Sequence, residues 1–153
     1  MLEVLAQFRI IIRSVRRHYL DVERRAGLSG AQLWALAEVA AQPGLKVGEL
    51  ARAMAVHQST ASNLARRLHS LGLLRRSRQS RDQRHVQLFT TPRGTRLLGR
   101  APKPSRGVLQ QALSELSPAR LHELHAALAG LVTLMKVKSL AAARALPLSD
   151  ITR

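Results

Sequence analysis

The sequence predicts a mainly α fold with one small β-hairpin. Apolar residues recur at steps of three and four through most of the chain, the period of helices. Two short runs read as paired strands, one opening at Leu73-Leu74 and one over 85–91, where Val86 and Leu88 alternate against Gln87. Turn-forming pairs and single glycines punctuate the rest, at Gly27, Pro43-Gly44, Gly72, Pro92 and Ser117-Pro118.

The first helix covers about residues 2–25. Leu5, Phe8, Ile12, Val15, Tyr19 and Val22 alternate steps of three and four, the seam of a helix that packs along another helix. Ile10 and Ile11 widen that seam, while Arg9, Arg13, Arg16 and Arg17 lie mostly off it. Gly27 supplies a C-cap. Ser29 is the expected N-cap of a second helix, which carries Leu33, Trp34, Leu36, Ala37 and Ala40 and ends at Gln42. Two shorter helices follow, over 47–54 and 58–71, and Gly72 stops the second.

A strand opening at Leu73-Leu74 carries Arg75, Arg76 and Arg78. The polar residues 79–84 turn the chain, and 85–91 return, so the hairpin has an arginine-rich tip. Pro92 opens the next helix in its first turn, where a missing N–H costs nothing. Pro102 and Pro104 are expected to kink or interrupt that helix, which then resumes from about residue 105 to 116. Ser117-Pro118 caps a last helix whose Leu121, Leu124, Leu128, Leu131 and Met135 again form a narrow stripe. The expected organisation is a helix over 1–28, a central unit over 29–94, C-terminal helices over 95–146 and a tail over 147–153.

Composition bounds the function. The chain of 153 residues suits one domain, or one domain with an arm, and its 46% hydrophobic content can build a core. The formal charge is +16. Twelve of the cations fall between residues 43 and 100 against Glu49 and Asp82 alone. Such a balance favours a polyanionic partner, either nucleic acid or an anionic membrane surface. Without cysteine there is no disulfide, thiolate nucleophile or cysteine-based zinc site. No apolar run approaches the ~20 residues of a spanning helix, and the N-terminus lacks a secretory pattern, so no membrane contact and a cytoplasmic location are expected. No catalytic grouping, paired-carboxylate motif or Gly-rich phosphate loop is present, so no enzyme and no cofactor are expected. His122 and His125 stand three apart with no third ligand in view and read as surface residues, not as a metal site.

The stretch VGELARAMAVHQSTASNLARRLHSLGLL, over 47–74, carries the functional argument. Val47, Leu50, Ala51 and Met54 bury its first helix, and Val56 sits in the turn. Ala61, Leu64, Ala65, Leu68 and Leu71 bury its second. What remains exposed on the second helix is Gln58, Ser59, Thr60, Ser62, Asn63, Arg66 and Arg67. Gln, Asn and Arg pair with base edges in a major groove, and Ser or Thr with phosphates. The same residues also suit an ordinary solvated face; the hairpin and the charge decide for double-stranded DNA. On the hairpin, Arg75, Arg76, Arg78, Arg81 and Arg84, with Asp82, would meet a neighbouring groove or backbone. The unit is therefore a winged helix-turn-helix over 47–94.

Residues 29–94 resemble the MarR family of winged helix-turn-helix regulators. The helix pair, the Gly72-Leu73 junction, and Asp82, Arg84, Leu88, Thr90 or Thr91, and Gly94 of the wing carry the resemblance. It implies that Arg84 enters a minor groove with Asp82 helping to hold it, which a narrow, negative groove makes reasonable. It also implies a homodimer with intertwined terminal helices, and a small-molecule pocket, often for an aromatic acid, for which Arg13, Arg17, His18, Tyr19 and Trp34 are the candidates. Two heads about 34 Å apart read a palindrome, whereas one recognition helix buries too little to be specific. The expected function is a dimeric, site-specific regulator, a repressor in sign, released by a small aromatic or acidic ligand. Three departures stand out: His57 in place of a Ser cap, Phe89 before Thr90-Thr91, and the proline-broken helix. Two other classes stay open. One is a nonspecific architectural or RNA-binding protein acting through charge, the other a protein-interaction adaptor.

Overall fold

The computed structural model describes residues 1–78 and 86–135, with Arg78 known by its backbone alone. Arg81, Asp82 and Arg84 lie outside these residues, as do the tail and everything from 136 onward. Among the described residues the order is α1 (Leu2–Ala26), α2 (Gly30–Ala41), β1 (Leu45–Lys46), α3 (Val47–Ala53), α4 (Gln58–Ser70), β2 (Leu74–Arg78), β3 (Val86–Thr90), α5 (Pro92–Arg100), α6 (Val108–Ser114) and α7 (Pro118–Leu134). The mainly helical fold with a hairpin wing is as the sequence predicts.

Local chemistry explains the boundaries. Gly27 ends α1 at φ 64°, in the left-handed region, and its N–H donates to the Glu23 carbonyl. Ser29 opens α2 through a reciprocal pair: its Oγ accepts from the Gln32 N–H at 3.3 Å, and Gln32 Oε1 accepts from the Ser29 N–H at 3.0 Å. That satisfies two otherwise orphan donors, worth about 0.5–2 kcal/mol. Ser117 and Pro118 open α7 in the same spirit, Ser117 Oγ accepting from the Arg120 N–H.

One strand was not expected. Leu45 and Lys46 pair antiparallel with Leu88 and Gln87, giving a three-stranded sheet in the order β1-β3-β2. Two residues between a turn and a helix show no alternation, so no periodicity announces them. Across β2 and β3 the register pairs Leu74 with Thr90, Arg76 with Leu88 and Arg78 with Val86.

α2 lies at the centre, packed by α1, α3, α4, α5 and β3. Its Leu33, Leu36 and Val39 join Leu50, Leu68, Leu73, Leu74, Leu88 and Val22 as the largest wholly buried side chains. Each such burial contributes about 1.5–3 kcal/mol. Inside this apolar helix stands one buried carboxylate, Glu38. Trp34 Nε1 donates to its Oε1 at 2.8 Å, and Arg106 Nε and Nη2 reach its two oxygens at 2.6 and 3.2 Å. The partner comes from the residues between the prolines and α6. That is why the chain does not resume its helix at residue 105: Arg106 is held on α2, Gly107 takes φ 107°, and α6 begins at Val108.

The arms differ from the core. α1 buries Val15 and Val22 but leaves Leu5, Ile10, Ile11 and Ile12 exposed. No residue of α7 is buried, and Leu121, Leu128, Leu131, Leu134 and Met135 face solvent.

Four elements meet at Thr91. Its N–H donates to the Leu73 carbonyl at 3.0 Å, and its Oγ1 donates to the Gly72 carbonyl at 2.7 Å while accepting from the Gly94 N–H at 3.1 Å. Gly94 then lies so close to Leu73 that a Cβ there would collide with the Leu73 carbonyl oxygen. Gly94→Ala should therefore cost about 1–3 kcal/mol in a denaturant titration. Gly99→Ala, on the same helix with nothing within 4 Å of the added Cβ, should be neutral or stabilising by up to about 1 kcal/mol. Equal stability of the two variants would contradict the junction as described.

Candidate functional site

α3 and α4 form the helix-turn-helix. The turn between them is tight, with the Val56 N–H donating to the Ala51 carbonyl at 3.0 Å and Ala55 held at φ 53°. A non-glycine residue there stores about 1–2 kcal/mol of strain, which the surrounding core holds in place. Ala61, Ala65 and Leu68 turn one face of α4 inward. The opposite face presents Gln58, Ser59, Asn63, Arg66 and Arg67 to solvent, with Thr60 and Ser62 half-buried at its edges. Arg66 Nη1 donates to Asn63 Oδ1 at 3.2 Å, so the two side chains are already oriented together. His57 stands at the N-cap without a side-chain bond to the helix, leaving first-turn N–H groups open to an anion.

One contact ties the wing to this unit, and another orders the wing itself. His69 Nδ1 lies 3.0 Å from the Leu74 carbonyl, tying the end of α4 to the start of β2. Arg75 rests its guanidinium 4.2 Å from the centre of the Phe89 ring. That stacking is worth about 0.5–1 kcal/mol at an exposed site and restricts where the cation points. Phe89, a departure from the family pattern, thus serves as a platform for a wing arginine. Arg75 and Arg76 are both exposed.

The five pocket candidates separate. Arg13, Arg17 and His18 line a cleft of about 890 Å³ between α1 and the 101–107 connector. Tyr19 and Trp34 are not among its lining residues: the Tyr19 ring packs on Gly30 and its oxygen accepts from Gln110 Nε2, while Trp34 is bonded to Glu38. Arg16, Arg24 and Lys103, which also line the cleft, were not singled out from the sequence, although Arg13, Arg16, Arg17 and Arg24 recur at helical spacing. His18 is partly buried there, and desolvation holds its imidazole below the ordinary value, against opposing effects of a bond to the Pro104 backbone and of Asp21. The half-buried Asp21 carboxyl is itself held below the ordinary carboxylate value, chiefly by the hydrogen bond from Arg24. His122 and His125 lie exposed on α7, and among the described residues no three potential ligands gather. No helix among the described residues is long and apolar enough to cross a membrane.

A helix-turn-helix followed by a β-hairpin wing, with the hairpin paired back onto the strand that precedes the two helices, defines a winged helix domain. Residues 26–85 match the model of the MarR family. Over 94 residues the chain is 28% identical to the HTH-type transcriptional repressor MdtR of Bacillus subtilis (strain 168). The match covers 61% of each chain, so the chain spans less than two thirds of that relative. Among solved structures, the transcriptional regulator BldR of Sulfolobus solfataricus is 26% identical with a TM-score of 0.56, covering 86% of this chain and 94% of that one. The MepR–DNA complex of S. aureus is 22% identical with a TM-score of 0.58, covering 85% and 96%, a likeness of fold. The winged helix domain of this chain is thus similar to that of the MarR family, and its fold is that of these solved regulators.

The His18 environment has a pH consequence. Folding disfavours its charged form, so its contribution to stability is complete above about 6.5, its ordinary value, and is lost as pH falls through the lowered folded value. Between about pH 7.5 and about pH 5.5 the melting temperature should fall less in His18→Gln than in the unaltered chain. Parallel pH profiles would remove His18 as the cause.

Proposed function

We propose that the chain regulates transcription by binding a specific site on double-stranded DNA as a homodimer. The observation that carries this is the exposed polar face of α4, from Gln58 to Arg67, mounted on the same rigid unit as the wing cations Arg75 and Arg76. Asn63 and Arg66 read base edges in the major groove, and Ser59, Thr60, Ser62 and Arg67 hold phosphates. Arg78, Arg81 and Arg84 extend the contact along the wing, with Arg84 in the minor groove and Asp82 orienting it. The solved MepR–DNA complex supports placing DNA on this fold, and the repressor MdtR supports repression as the sign of regulation.

The exposed stripes of α1 and α7 support the dimer. Contiguous apolar rows at heptad spacing are costly in water and are covered when two chains exchange them. A two-fold pair reads a palindromic operator with half-sites about one helical turn apart. Release by a small aromatic or acidic ligand, and a cytoplasmic location, complete the proposal.

Binding to an operator should weaken steeply with salt, log K falling against log salt with a slope of about −0.9 per phosphate contact. Arg67→Ala should lower that slope by about one unit per head and weaken all sequences alike. Asn63→Ala and Arg66→Ala should instead change base preference by about 1–3 kcal/mol per position, and less than additively because the two side chains are bonded to each other. Uniform loss in these two variants would reduce them to phosphate contacts. Arg84→Ala should weaken operator binding, and unchanged affinity would remove the wing assignment. Binding that ignores sequence altogether would favour an architectural protein acting through its +16 charge.

A further inference from the structure

The cleft between α1 and the connector carries far more charge than a simple acid requires. Arg13, Arg16, Arg17, Arg24, Arg25 and Lys103 line it, against the single carboxylate of Asp21. That carboxylate is engaged, with Arg24 Nη2 at 2.8 Å and Arg25 Nε at 3.2 Å. Among the described residues, no carboxylate lies at ion-pairing distance from Arg13, Arg16, Arg17 or Lys103.

The arrangement has a length and a direction. Arg13, Arg16, Arg17 and Arg24 share one face of α1 and extend over roughly 16 Å at the rise of a helix. Like charges three and four apart destabilise a helix, and an anion laid along this face relieves that repulsion. The apolar lining is limited to Leu20, Pro102 and Val108, with no Phe, Tyr or Trp ring in the wall. An aromatic monoacid would find several unmatched cations and no ring to stack on. A chain of phosphates matches instead, because guanidinium forks bind phosphate oxygens in pairs. The volume, about 890 Å³, falls within the range of small-molecule sites.

We propose that this cleft binds a phosphate-chain small molecule of about nucleoside triphosphate size. The connector offers a route to the reading head: Lys103 lines the cleft, and three residues on Arg106 holds Glu38 of α2. A role as effector rests on the DNA-binding reading above; occupancy of the cleft does not.

The test is calorimetric titration of the full chain with inorganic triphosphate, ATP and benzoate at near-physiological salt. Saturable binding of triphosphate and ATP is expected, with benzoate at least about tenfold weaker. Arg13→Gln/Arg17→Gln and, separately, Lys103→Gln should each weaken triphosphate by about tenfold or more, the scale of a lost charged hydrogen bond. The altered positions are exposed, and unchanged melting would show that the variants fold. Arg66→Gln/Arg67→Gln on α4 should leave triphosphate binding as it was while weakening DNA binding. Benzoate binding as tightly as triphosphate would overturn the proposal. So would a loss caused by the α4 variant in place of the cleft variants, which would place the anion on the DNA surface. Absence of triphosphate binding in a chain that still binds its operator overturns the site and leaves the regulator reading standing. Triphosphate binding lost in the cleft variants supports the site even in a chain that binds no DNA.

Discussion

The winged helix unit depends on how the chain turns at Leu73. The end of α4, the start of β2, the end of β3 and the first turn of α5 all converge on the carbonyls of Gly72 and Leu73. Thr91 satisfies both carbonyls and caps α5 with the same hydroxyl, and Gly94 permits the close approach. A recognition helix and a wing are useful only if their relative position is held, since an error of an ångström misplaces a side chain against a base edge. Here that position is held by short bonds from the Thr91 N–H and hydroxyl to backbone groups, with the leucines of α2, α4 and β3 packed behind them. The exposed polar face of α4 is free to vary in chemistry because none of its members is needed for this frame.

The connector around the prolines does a different task. It replaces what would be a continuous helix by a segment whose Arg106 returns to α2, 68 positions earlier in the chain. Charge burial at Glu38 is costly, and its full satisfaction by Trp34 and Arg106 sets where the connector lies. The same segment forms one wall of the cationic cleft. The arm and the head are thus joined by an ion pair at a defined point, and the solvent-facing stripes of α1 and α7 stand beyond it.

Much of this was legible from local chemistry. Gly27, Ser29, Gly72, Pro92 and Ser117-Pro118 act through backbone geometry that depends on few neighbours, and each stands at the boundary expected of it. The burial pattern of α4 followed from its period, and with it the exposed set from Gln58 to Arg67. Features made by distant partners were not legible. β1 exists because Leu45 meets Leu88, and Thr91 matters because of Gly72, nineteen positions away. Nothing local marks Glu38, whose role depends on Arg106, 68 positions away. Tyr19 and Trp34 read by type either as ligand contacts or as core, and only the partners Gly30, Gln110 and Glu38 show what engages them. The roles of Arg81, Asp82 and Arg84 rest on the sequence, since they lie outside the described residues.

The central claim is that two copies of this frame read DNA together. It is tested most directly by selecting duplexes from a random pool with the purified chain and sequencing what is retained. The account predicts enrichment of two inverted half-sites with centres roughly 10 base pairs apart, the spacing of successive major grooves on one face of the duplex. A retained pool without enrichment at any position, or with a lone half-site and no inverted partner, would contradict it.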